Sequence, residues 1–496
     1  MYTAWSPHIA GCWVPAVHAN CIHNETAALL LRSLGPTPVS VEPGRAAVGE
    51  VFRDLVRLAR RYSGQKWTHL EVAQSYTGAL RDRYLEAERS LREDGPVMFS
   101  DTYLRAFLKA EKVNALKKFP KPRLIYPRSP RYNLELATRL KPFEHWLWGN
   151  LKRVGNSGVP HTRVVAKGLS MQQRANLIRR KFSSIPSCVV VEVDGKAFEA
   201  HLERWVLEQE HRVYAAAFPG DGKLKRLLRY QLSMQGVTQC GVKFEREGGR
   251  ASGDYNTGMG NTLVMLAVVV SVLRRMGLTT FDTLADGDNC LLFLESGSLD
   301  RVLSDFARLA LDAGHEMVLE RPAWDLESVR FGQSAPVDLG ARGLRMVRDW
   351  RKVLSQALSS HAHLHDVRFM KRYLRGVALC EAHLSRGVPI LGKWAESVLR
   401  ATEGVELLPF SWYRDYQVLG VVEGAWDKPV LGESPTEEAR RSFALAFGTS
   451  VCDQLDLESG LDRIEICLDS WTPVEPPTAS NWWSCEPGLC EASLGG

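Results

Sequence analysis

The chain has 496 residues, of which 45% are hydrophobic and 24% charged, with a formal net charge of +6. That composition excludes a disordered or fibrous chain, and the length points to two or three packed subdomains. Ten cysteines scattered without CxxC pairs exclude a disulfide framework and fit reduced thiols in a cytosolic setting.

The opening, MYTAWSPHIAG, lacks the charged head and apolar core of a signal peptide. Residues 1–50 are rich in Pro, Gly, His and Cys and read as irregular. His8, Cys12, His18, Cys21 and His23 match no common zinc spacing and are read as scattered polar and core positions. Apolar spacing in AAVGEVFRDLVRLARRY and YLEAERSL predicts helices within 46–92. Asp101 is placed to cap a helix through YLRAFLKAEKVNAL, which Pro120 and Pro122 would end. KPRLIYPRSPRYN reads as extended, because each Pro pushes its predecessor away from helix. A helix is expected again over 133–151.

From Arg105 to Lys141, eleven Lys and Arg stand against two acids, Glu111 and Glu135, with prolines and aromatics interleaved. That is what a phosphate-binding channel would look like, and the interleaving weakens the ordinary reading of a solvated charged face. CVVVEV (188–193) is a nearly continuous apolar run, as expected of a buried strand. A long apolar helix is expected over 261–276, closed by Gly277. Its longest unbroken apolar stretch, Leu263 to Leu273, is too short to span a bilayer, so no transmembrane segment is expected. TFDTLA-DGDN-CLLFLE (280–295) carries the signal of a hairpin, and 301–312 that of an amphipathic helix. Beyond 340 the pattern is mainly helical; His361, His363 and His365 read as a surface loop. From Asp453 to the end, nine acids accompany one Arg, in a tail holding Trp471, Trp482, Trp483, Cys485 and Cys490.

Two acids stand out by position. Asp194 ends the buried strand and Asp288 tips the hairpin, so two strands of one sheet would bring them together around a pair of metals. Between them SGDYNTGMGN (252–261) enters the apolar helix, its small residues allowing close backbone approach and its Ser, Asn and Thr offering uncharged hydrogen bonds.

In that order the three segments resemble motifs A, B and C of a right-hand polymerase. In detail they resemble the tombusvirus-like group of positive-strand RNA virus RNA-dependent RNA polymerases. DGKAFEAH (194–201) is similar to motif A, SGDYNTGMGN to motif B and DGDNCLLF (286–293) to motif C. KPRLIYPRSPRYNLEL (121–136) resembles the basic motif F, while GHEMVLE (314–320) and VRFGQSAPV (329–337) resemble motifs D and E. IHNETAALLLRSL, YTGALRDRYLEAERSL, MVRDWRKVLSQ and ARRSFALAFG extend the resemblance from about residue 20 to about residue 460.

The resemblance implies an α+β fold: a right hand of fingers, palm with an antiparallel sheet, and a mostly helical thumb. The N-terminal segment and fingers would cover 1–187, the palm 188–338 with a fingers insertion near 205–250, the thumb 339–470 and an acidic tail 471–496. It implies two-metal nucleotidyl transfer with two Mg²⁺ or Mn²⁺ ions on Asp194, Asp288 and Asn289. Ser252, Gly253, Thr257 and Asn261 would position nucleotide and template, and Asn256 with Glu199 would read the ribose 2′-hydroxyl. Lys121, Arg123 and Arg128 would bind triphosphate oxygens. Implied partners are template and product RNA, ribonucleoside triphosphates and a viral auxiliary replication protein. The expected location is host cytoplasm, at membrane-associated replication complexes reached through a partner or upstream sequence.

Three positions depart from the family pattern. Motif C carries Asn289 where an Asp is usual, similar to ambiguivirus-like fungal viruses, which removes one negative charge beside the metals; Asp286 is read as a turn residue. Motif A carries Glu199 in place of Asp. Motif D has Val318 where a Lys is usual, leaving His315 as the nearby candidate general acid. A reverse transcriptase shares the palm, but a polar Glu199 is the wrong gate for deoxynucleotides. A catalytically dead RNA-binding scaffold is the alternative that the three departures suggest.

Overall fold

The computed structural model describes residues 1–114, 121–152, 154, 159–422, 433–464, 466 and 472–473. The expected tail residues Trp471, Trp482, Trp483, Cys485 and Cys490 lie outside the described residues.

The centre is a four-stranded antiparallel sheet in the order Met317–Leu319, Cys188–Gly195, Asn289–Glu295, Phe281–Asp286. Side chains alternate across a sheet, and this one is covered on both faces. Val189, Val191, Val193, Cys290, Leu292 and Leu294 enter the largest core beside the Thr257–Arg275 helix. Val190, Leu291 and Phe293 enter a second core with Ala175 and Ile178 of the Met171–Phe182 helix. Double burial is why CVVVEV and CLLFLE read as continuous apolar runs instead of alternating ones. Glu192 and Asp194 continue the Val190 face to the sheet's end, where the acids gather.

The Thr257–Arg275 helix is apolar all round because Glu42–Ala59, Arg204–Ala217, Leu299–Leu311 and the sheet surround it. Each of its fully buried Leu and Val side chains contributes roughly 1.5–3 kcal/mol of transfer free energy. By length and composition alone this helix could cross a bilayer, but 83% of its apolar window is buried inside the protein. Its apolar surface is spent on packing within the protein.

A second sheet joins Leu124–Ile125, Leu104–Leu108, Ser233–Thr238 and Lys243–Glu247. The first and last pairings are antiparallel and the central one parallel. Here the expected helix from Asp101 through 114 is corrected. Asp101 belongs to a short 3-10 turn, Phe99–Thr102, and Leu104–Leu108 is a strand. Leu104, Ala106 and Leu108 are buried while Arg105 and Phe107 are exposed, so the period is two, and the strand's partners lie 132 residues away in sequence or are reached through the Pro-rich segment. Residues 1–50 are also more ordered than expected, with helices Ile22–Ala28 and Glu42–Ala59. The C-terminal part packs Val367–Leu384, Leu391–Ala401, Glu437–Phe447 and Val451–Asp462 into a separate core with the antiparallel pair Ser334–Asp338 and Leu344–Arg348. Mixed helices and antiparallel sheets are thus present, in agreement with an α+β chain.

Candidate active site

The hairpin and the central strand deliver the two acids to one place. Asp286 and Asn289 pair across a two-residue connection, and Gly287 takes the positive φ of 66° that so tight a turn requires. Asn289 lies directly opposite Asp194 in the neighbouring ladder, and the Gly195 N–H donates to the Asp288 carbonyl over 3.1 Å. The Thr262 hydroxyl accepts from the Gly287 N–H at 2.9 Å, tying the turn to the core helix.

Neither Asp194 nor Asp288 forms an ion pair among the described residues. Burial, then Glu199 and Asp194, push the Asp288 carboxyl up to about 6. Burial and Glu320 raise Asp194, and burial with Glu320 and Asp194 takes Glu192 to about 7. Arg123 offsets this only in part, and carboxylates gathered in this way, raised by burial and by one another, favour a bound cation. Asp194, Asp288 and the Asn289 carbonyl offer the hard oxygen donors that Mg²⁺ or Mn²⁺ accept. Among the described residues no group of three or more His, Cys, Asp and Glu is preformed as a metal cage, so water and substrate oxygens would complete any coordination. Asp286 does not restore the charge missing at Asn289, since it pairs with Arg174 at 2.7 Å.

Two adjoining cavities share Arg32, Arg123, Ala197 and Asp288. The smaller, of about 250 Å³, also holds Lys109, Glu199, Arg250 and Ser252; the larger, of about 960 Å³, holds Asp194, Asn289 and Glu320. Arg123 is where expected, bridged through Glu111 (3.2 Å) to Lys109 (2.5 Å). Arg32 and Lys109 were not singled out by sequence; Lys109 lies within the basic stretch, and Arg32 within IHNETAALLLRSL. Arg32 has no ion pair among the described residues, so its guanidinium is free for an anionic ligand. Lys121 is exposed and outside these linings.

Several expected roles are corrected. Arg128 is buried and spent: it pairs with Asp254, donates to the Thr102 carbonyl (2.9 Å) and the Tyr230 carbonyl (2.7 Å), and stacks over Tyr132. It braces the fold, and its buried guanidinium lines neither cavity. Asn256 is fully buried, exchanging hydrogen bonds with Gln231 and donating to Glu210, so it does not reach a sugar. The Thr257 hydroxyl donates to the Ala251 and Asp254 carbonyls and holds the loop shut. Gly253 serves close packing, because a Cβ there would lie 2.6 Å from Pro127 Cα. Ser252 faces the cavity, its hydroxyl accepting from the Tyr126 N–H at 3.4 Å. His315 is buried and neutral: burial takes it down to about 4, and Nδ1 sits 3.0 Å from the Ala313 carbonyl. A carbonyl only accepts, so Nδ1 carries the proton and Nε2 is a bare, unpartnered acceptor. In this state it offers no proton at Nε2, the position a general acid would use. Val318 is exposed beside Asp194, where it pairs in the ladder.

An acid at a strand end, an acid in the neighbouring hairpin turn, a small-residue loop entering a core helix and a cavity lined by cations stand together, and the kinship can be set beside them. Residues 13–469 match the family described as viral RNA dependent RNA polymerase, and the chain belongs to that family. It is 29% identical to the RNA-directed RNA polymerase of Tobacco necrosis virus (strain A), over 94% of this chain and 64% of that protein. It is 31% identical to those of Cymbidium ringspot virus and Tomato bushy stunt virus (strain Cherry), over 93% of this chain and 56% of each. The chain therefore spans between 56% and 64% of the length of these relatives.

Proposed function

We propose that the chain is an RNA-directed RNA polymerase that copies viral RNA by two-metal nucleotidyl transfer in a right-hand architecture. Fingers would be drawn from 1–187 and about 205–250, palm from 188–338 and thumb from 339–470. The observation that supports this reading is that Asp194, paired in the ladder with Asn289, and Asp288 in the adjoining turn come together without an ion pair among the described residues, bordered by the cationic cavity. When bound, two Mg²⁺ or Mn²⁺ ions would lower the pKa of the primer 3′-hydroxyl and neutralise phosphate charge. Asp194, Asp288 and Asn289 would hold them. The 3′-hydroxyl gives up its proton to water as its oxygen attacks the α-phosphorus in line; the new P–O bond forms as the bond between the α-phosphorus and the bridging oxygen breaks, and pyrophosphate leaves. Arg32, Lys109 and Arg123 bind the triphosphate oxygens, where guanidinium can be bidentate. Glu199 and Asn261 face the ribose, and Ser252 orients nucleotide and template.

On kinship alone, template and product RNA, a viral auxiliary protein and membrane-associated replication complexes in host cytoplasm are the expected partners and setting. Primer extension on a short RNA template with ribonucleotides, comparing wild type with Asp288→Ala in Mg²⁺ and Mn²⁺, tests the proposal. Extension by wild type alone supports it. Extension by both proteins removes Asp288 from the chemistry. Template binding without synthesis in either metal would favour an RNA-binding scaffold, and preference for deoxynucleotides a reverse transcriptase.

A further inference from the structure

Lys196 borders the larger cavity together with Arg32, Arg123, Asp194 and Asp288. It stands two residues past Asp194, where the chain leaves the central strand Cys188–Gly195. Its N–H donates to the Glu316 carbonyl at 3.0 Å, and its ammonium donates to Glu316 Oε1 at 2.8 Å. The Lys196 side chain is nevertheless 64% exposed. An ion pair so open to water is weak, and four methylenes let the ammonium swing away while the backbone stays still. The turn that carries Lys196 is held more firmly. Ala197 takes a φ of 44°, a left-handed value that is costly for a residue with a Cβ. The Ala197 carbonyl lies 3.1 Å from His201 Nδ1, and His201 Nε2 lies 3.0 Å from Glu316 Oε2. His201 thus keeps both the turn and Glu316 in place when Lys196 lets go. The neighbouring strand, Met317–Leu319, brings no cation of its own to the acids; the residue it pairs with Asp194 is Val318.

We infer that Lys196 is a catalytic residue that leaves Glu316 for the β- and γ-phosphate oxygens of the incoming nucleotide and stabilises the charge that develops on departing pyrophosphate. This rests on the polymerase reading above and extends it to the leaving group. As the bond between the α-phosphorus and the bridging oxygen breaks, negative charge gathers on that oxygen and spreads over the pyrophosphate. An ammonium already beside those oxygens favours that state over the bound triphosphate. It keeps its protons throughout, so the bonds made and broken are those of the transfer itself.

The full chain is assayed in both directions to test this. Single-nucleotide primer extension in Mg²⁺ gives kcat and KM for a ribonucleotide, and added pyrophosphate shortens the primer in reverse. Lys196→Ala is expected to lower kcat about tenfold or more and to raise the half-saturating pyrophosphate about tenfold. Lys196→Arg, which keeps the charge, is expected to recover most of both. Glu316→Gln removes the competing carboxylate, so KM is expected to fall about threefold. A Lys196→Ala protein within about twofold of wild type in both directions overturns the inference. So does a Glu316→Gln protein as impaired as Lys196→Ala, because Lys196 would then act only by bracing the strand end. Absence of RNA synthesis by wild type overturns the polymerase reading itself, and this inference with it.

Discussion

At the scale of single residues, chemistry at this site depends on which polar groups are left uncommitted. Arg123 and Arg128 stand five positions apart in one basic segment, yet only Arg123 reaches the cavity; Arg128 is consumed by Asp254 and two carbonyls. Asn289 faces Asp194 with a neutral oxygen, a weaker ligand than carboxylate. Synthesis should therefore lean on Mn²⁺, and Asn289→Asp is expected to preserve or raise Mg²⁺-supported extension and narrow the Mn²⁺ advantage. Loss of synthesis with both metals would mean that the site is tuned around the amide. For His315, a buried unprotonated Nε2 predicts that His315→Leu slows turnover by less than tenfold, whereas removing a general acid costs about a hundredfold or more. Single-turnover rates across the two proteins decide it; a hundredfold loss would reinstate the histidine as proton donor.

At the scale of elements, the helix Thr257–Arg275 is where function and packing meet. Its first turn presents Asn261 to Arg250 and Thr262 to the hairpin turn, while its remaining length is the core. Gly260 is the point of closest approach to the Arg250–Glu210 pair. Alanine is the better helix former by about 1 kcal/mol, but here the added methyl has no room. Gly260→Ala is expected to destabilise by about 1–3 kcal/mol through overpacking. A lowered denaturant midpoint at unchanged slope is the expected signature. A raised midpoint would mean that the ion pair yields without cost and that propensity wins.

At the scale of the whole molecule, buried titratable groups set the response to acid. Burial holds His211 and His315 at about 4, against the ordinary 6.5. In the unfolded chain both bind a proton near 6.5, so between that value and about 4 the unfolded state holds more protons and stability falls with falling pH. Glu135 adds to this at lower pH. Burial raises its carboxyl, but hydrogen bonds from His69 and Lys223 outweigh it and hold it at about 2, so its contribution is lost between 4.5 and about 2. Glu192 and Asp288, held at about 7 and about 6 in the folded chain, act in the opposite sense, since the folded state takes up protons there that the unfolded state does not. The wild-type melting temperature is therefore expected to change little between 7 and 4.5, whereas Glu192→Gln with Asp288→Asn should expose the histidine contribution as a fall below 6.5. A melting temperature of that double variant that stays level down to 4.5 would contradict the burial of both histidines.

Local pattern determined a good deal. The strand at 188–193, the hairpin around Gly287 and the long apolar helix were legible because period, turn chemistry and length are properties of neighbouring residues. Asp194 and Asp288 followed, since a strand end and a turn tip are readable positions. Tertiary structure decided the rest. Leu104–Leu108 is a strand because its partner at Ser233–Thr238 exists only in the folded chain. Arg32 enters the cavity from far upstream, whereas Arg128, Asn256 and His315 leave the chemistry because the fold buries them against partners. Whether a polar side chain is a tool or a brace depends on which neighbours compete for its hydrogen bonds. Those neighbours come from distant parts of the chain, so no local window of sequence contains the answer.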